Sequence, residues 1–130
     1  MTPGRIGHDG FVPSFTSLVG GATAAYSAAL LVAPRILLKP CGLAETPDSR
    51  MLARAIGARD TAIGLAMIAA PAGPARWAAT ASRVAADWSD AGVFAAGLGG
   101  RGTRAKVVGF AAAWGALSLA AGLADARSRR

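Results

Sequence analysis

Six ionisable side chains stand where the sequence is otherwise apolar. Arg54, Arg59 and Asp60 lie inside "MLARAIGARDTAIGLAMIAA" (residues 51–70), and Arg83, Asp87 and Asp90 lie inside the next apolar stretch. Burial and a neighbouring guanidinium pull a carboxyl's pKa in opposite directions, so such groups can be set to give or take a proton. Asp60, Asp87 and Asp90 are therefore the candidate acid–base groups. Arg54, Arg59 and Arg83 are the candidates to hold a ligand's oxygen or to steady developing negative charge. Tyr26, Trp88 and Trp114 are apolar-segment aromatics that could wall a pocket beside them.

The six charges sum to zero, which points to pairing. Counted from the turn between Pro71 and Pro74, depths along an antiparallel hairpin match in three rungs: Asp60 with Arg83, Arg59 with Asp87, and Arg54 with Asp90. Each match is within two residues, or about 3 Å along a helix axis. Arg83, Asp87 and Asp90 follow i, i+4, i+7 spacing and share one helix face. Gly57, Asp60 and Gly64 share a face with Arg54 on its flank, whereas Arg59 points away from it, which makes its rung the least regular.

A single Arg, Lys or Asp at the centre of a membrane helix costs about 2.5–3.5 kcal/mol. Buried ion pairs seldom stabilise more than packed apolar residues would. Their retention is accordingly a functional signal, set against the reading in which the pairs only fix which helices associate.

The elements that must position these residues are four hydrophobic segments, about 14–34, 47–70, 74–98 and 106–124. The first is uncharged and its apolar run continues past the small residues of "AYSAA", which favours a retained helix over a cleaved signal peptide. The second starts with Thr46 as N-cap, Pro47 at the first helical position and Asp48 at the positive end of the dipole. "PAGP" closes it, and Pro74 opens the third. "GLGGRGTR" (97–104) reads as a flexible turn with no strand before it, and the tail "DARSRR" reads as frayed. Each segment can cross a hydrocarbon core of about 30 Å. The expected fold is all-α, a single-domain four-helix transmembrane bundle with up-down antiparallel topology. Gly92, Ala96 and Gly100, and likewise Ala111 and Gly115, have the spacing of close helix contacts in lipid.

Composition agrees. The chain has 130 residues, enough for one domain, with 53% apolar residues but only 6% aromatic ones, and a mean hydropathy of +0.41. Such a core lacks bulk for water but suits helices that approach through small side chains. The net charge is +7, yet the basic residues neither cluster on one helix nor interleave with aromatics, so no nucleic acid is expected as a partner. Cys41 and His8 are the only residues of their kinds. They allow no intrachain disulfide and no zinc set; no metal or cofactor is expected. Loop Arg and Lys divide five against six between the two sides. The C-terminal trio Arg127, Arg129 and Arg130 tips the termini to the cytoplasmic side of an inner membrane. Trp77, Phe11 and Phe15 suit the interfacial belt.

The string Arg54-x-x-Gly57-x-Arg59-Asp60-x-x-x-Gly64, with Asp87 one helix later, resembles the DoxX-like group of small four-helix bacterial membrane proteins. It is most similar to relatives with a G-x-R-D-x-x-x-G motif on the second span. The resemblance covers about residues 14–124. It implies a four-helix membrane fold and roles beside redox or lipid-linked metabolism, without established catalytic residues to carry over. Three functions follow as expectations. The first is binding of a lipophilic small molecule with one polar group, with acid–base chemistry of isomerase or cyclase type. The second is an accessory or scaffold subunit with a membrane partner protein. The third is a proton-coupled carrier, which at this length needs a homo-oligomer.

Overall fold

The structure is a computed structural model that describes residues 13–130, and among these the chain is all-helical. The expectations for His8 and Phe11 lie outside the described residues. Four long helices, α1 (Phe15–Val32), α3 (Pro47–Ala69), α4 (Pro74–Gly97) and α5 (Arg101–Arg127), are joined by short connections, with a one-turn helix, α2 (Arg35–Leu38), after α1.

The helix ends follow local chemistry. Ser14 caps α1, its hydroxyl accepting from the Ser17 N–H at 3.1 Å. Thr46 and Ser49 form a reciprocal capping box on α3, with Pro47 just inside, satisfying two N–H groups that the first turn leaves without partners. Gly73 and Gly100, at φ 113° and 73°, stand immediately before α4 and α5, in a backbone region that an L side chain resists. Arg76 locks the α3–α4 turn by donating to the Ala70 carbonyl from Nε (3.0 Å) and Nη2 (2.7 Å).

Three boundaries differ from expectation. α2 was not foreseen. The glycine-rich segment is mostly helix, since α5 already begins at Arg101. The tail is not frayed: α5 runs to Arg127 because Asp125 is anchored, accepting from the N–H groups of Phe15 (3.0 Å) and Thr16 (2.9 Å) at the start of α1.

Glycines set which helices touch. α1 packs most closely on α3, and α4 on α5. A Cβ at Gly64 would fall 2.6 Å from the Gly20 carbonyl oxygen and 2.7 Å from the Ala24 nitrogen, and one at Gly57 would fall 2.7 Å from the Ser27 carbonyl oxygen. Those two glycines of the motif therefore bring the α1 and α3 backbones into contact. Gly115 makes room for the Trp88 indole, 2.6 Å from where its Cβ would lie, as the Ala111–Gly115 spacing predicted. An added Cβ at Gly92 or Gly100 would meet nothing within 4 Å, so neither glycine of the other small-residue series brings two of these helices together.

The interior holds small and hydroxylated residues, among them Ala53, Thr23, Ser27, Thr80 and Ser118, whereas bulky apolar residues such as Val32 (85% exposed) and Val93 (67% exposed) face outward. α1 and α5 are long and apolar enough to cross a membrane.

Candidate functional site

Between the two close pairs, α1 with α3 and α4 with α5, lies a cavity of about 190 Å³. Its walls are nearly all apolar, and Asp60, Arg83, Asp87 and Asp90 supply its ionisable edge. Asp60 reaches it because Gly57 and Gly64, on the same face of α3, hold α1 close beside the carboxylate.

The charged groups form one chain of bonds. Arg83, 2% exposed, grips Asp87 through two nitrogens, Nε at 2.8 Å and Nη2. Its Nη1 reaches across to Asp60 Oδ2 at 3.0 Å. The other oxygen, Asp60 Oδ1, accepts from Arg59 Nε at 2.8 Å. Arg59 then makes a fork on Asp90, Nη1 to Oδ1 at 3.1 Å and Nη2 to Oδ2 at 2.5 Å. Two bidentate Arg–Asp pairs, the strong geometry for these groups, are thus bridged by Asp60. The chain grows drier from the Arg59 side chain, 39% exposed, to that of Arg83.

One expected rung is present and two are corrected. Asp60 meets Arg83. Arg59 meets Asp90 rather than Asp87, because Asp87 is already held by Arg83 one turn back on its own helix, an i, i+4 pairing that depth matching between helices ignores. Arg54 does not meet Asp90. It sits on the α1 side of α3, and its Nε donates to the Leu31 carbonyl at 3.0 Å, a cation placed at the negative end of α1. Its expected place beside a ligand is therefore not the one observed.

The aromatic expectation divides as well. Tyr26 and Trp114 line the cavity, and the Trp114 indole N–H donates to Thr23 Oγ1 at 3.0 Å. Trp88 does not line it: the indole lies over Gly115 and points to the Ala112 carbonyl at 3.4 Å. Phe94 and Phe110 line it instead, with Phe110 stacked on Trp114 at a centroid distance of 6.0 Å. Their signal was present in the sequence as i, i+4 partners of Asp90 and Trp114.

A second cavity, about 330 Å³, lies at the N-terminal end of α4 and is bordered by Thr16, Arg76, Trp77 and Asp125. Its charged groups are engaged in holding helix ends: Asp125 on α1, and Arg76 on the Ala70 carbonyl and Ser14. Cys41, in the loop before α3, is buried, and burial pushes its thiol pKa up.

Comparison with known proteins gives no match to any family model, curated protein or solved structure.

Proposed function

We propose that the protein is an integral protein of the cell inner membrane, a four-helix up-down bundle that binds a small lipophilic molecule carrying one polar group. The observation that carries this reading is the junction of an ion-pair chain with an apolar, aromatic-walled cavity at the centre of the helices. An apolar cavity of about 150 Å³ accepts benzene, so the volume here suits one ring with a small substituent. Asp60, Asp87 and Asp90 are the acid–base groups available for isomerisation or cyclisation of such a ligand. The membrane setting is supported by outward-facing apolar residues over an interior that mixes apolar and hydroxylated side chains, by two helices long and apolar enough to cross a membrane, and by the likeness of the Arg54–Gly64 motif to the DoxX-like group.

Native mass spectrometry of the detergent-purified protein against a panel of single-ring amphiphiles tests this. A one-to-one adduct is expected in the wild type, and Asp60→Asn and Trp114→Ala should lose it while remaining folded. Absence of any adduct at saturating ligand would overturn the reading.

One observation favours the scaffold alternative: each oxygen of the three carboxylates already accepts a bond within the chain. In that case Asp60→Asn, Asp87→Asn and Asp90→Asn would all lose folding or partner assembly together.

A further inference from the structure

The ion-pair chain is not neutral. With Arg54 directed to the Leu31 carbonyl, the connected groups are two guanidiniums, Arg59 and Arg83, and three carboxylates, Asp60, Asp87 and Asp90. Arg83 is matched by Asp87 and Arg59 by Asp90, each through a two-nitrogen fork, so the surplus negative charge falls on the bridging Asp60. Asp60 is also 8% exposed and borders the cavity. Asp60 touches both guanidiniums, but two cations against three anions leave one negative charge over, which one further positive charge would balance.

Hydrogen bonding points the same way. Five of the six guanidinium nitrogens donate to carboxylates and the sixth, Arg83 Nη1, is ion-paired with Asp60. Two guanidiniums bring about ten N–H donors and three carboxylates about twelve acceptor sites, so the edge has a small excess of acceptors. Four aromatic side chains share the cavity wall with aliphatic residues and the Thr23 and Ser27 hydroxyls. Tyr26 comes from α1, Phe94 from α4, and Phe110 and Trp114 from α5, and neither α1 nor α5 brings a charged group to the wall. Aromatic faces attract cations.

We infer that the ligand's polar group is a single positive charge, a protonated amine or quaternary ammonium on an apolar body, with Asp60 as its counter-ion. This rests on the proposed ligand cavity and narrows what fills it. Among the described residues, the charged groups around Asp60 are Arg59, Arg83, Asp87 and Asp90, and Tyr26 is the other ionisable side chain lining the cavity.

The test compares benzyltrimethylammonium with its uncharged carbon isostere, neopentylbenzene, by calorimetry on the detergent-purified full chain. The cation is expected to bind about tenfold or more tightly than the isostere. Asp60→Asn should erase the preference. Should that variant fail to fold, the wild-type comparison of the two compounds decides alone. Equal binding of both compounds would overturn the cation assignment and leave the lipophilic-ligand reading standing. Binding of neither would overturn both.

Discussion

Arg83 is the residue on which the buried half of the ion-pair chain turns, because it holds Asp87 and Asp60 at once and is itself almost inaccessible. Removing one partner of a buried pair strands the other charge, at about 3–5 kcal/mol, whereas replacing the whole pair with apolar residues is often neutral. Arg83→Met is therefore expected to lose about 3–5 kcal/mol, and Arg83→Met with Asp87→Leu to recover most of it. The sole cysteine supplies the readout: Cys41 is 4% exposed and its thiol is held protonated by burial. Alkylation should be slow in the wild type and the double variant, and fast in the single variant at the same temperature. If both variants open equally, the pair does not carry this strain. The contact between Asp60 and Arg83 was legible in the sequence because both residues project from their helices at the same depth. Arg59 was not, since its long side chain wraps from a neighbouring face to reach Asp60 and Asp90. Asp125 was less legible still: its partners are backbone N–H groups at the far end of the chain, and no local pattern marks such a contact.

At the scale of elements, glycine has two roles that the sequence spells identically. Gly64 is where α3 meets α1, and an added methyl there would strike backbone atoms of Gly20 and Ala24 at 2.6 and 2.7 Å. Neither neighbour has a flexible side-chain end to move aside. Gly64→Ala should thus force the helices apart and destabilise by about 1–3 kcal/mol. Gly92, in the second-last turn of α4, has nothing within 4 Å of where its Cβ would lie. There Gly92→Ala should be neutral or stabilising by up to about 0.5–1 kcal/mol, because alanine loses less backbone freedom in a helix. Thermal denaturation of the two variants beside the wild type checks both signs, and a destabilised Gly92→Ala would mean that α4 has a neighbour beyond the contacts described. The helices themselves were largely readable, since Thr46, Pro47 and the Pro71–Pro74 turn punctuate the apolar runs. Their pairing was less so. Spacing of small residues selects Ala111–Gly115 and Gly92–Ala96–Gly100 alike, and only the position of Trp88 and of α1 in space separates contact from coincidence.

For the whole molecule, the decisive property is the direction in which polarity runs. The interior is populated by Thr and Ser hydroxyls, several of which donate to carbonyls one turn back, as Thr80 does to Arg76 at 2.9 Å and Ser118 to Trp114 at 2.9 Å. That arrangement satisfies the hydroxyl without water. The exterior meanwhile presents Phe15, Met51, Val93 and Phe110, all more than half exposed. Lipid or a partner protein would cover such side chains where they adjoin in a belt. The charges distribute accordingly: Arg35 and Lys39 lie at the ends of α2, Arg50 pairs with Glu45 at the start of α3, and Arg59, Asp60, Arg83, Asp87 and Asp90 pair with one another deeper in the helices. If the belt is the lipid contact, the protein should stay in the membrane pellet through an alkaline carbonate wash and enter solution only with detergent. A single charge on the outward face near the middle of α5, Leu117→Lys, should lower the amount inserted, by a penalty of about 2.5–3.5 kcal/mol at the centre of a span. Release of the wild type by carbonate, or indifference to the lysine, would instead assign the belt to contact with another protein.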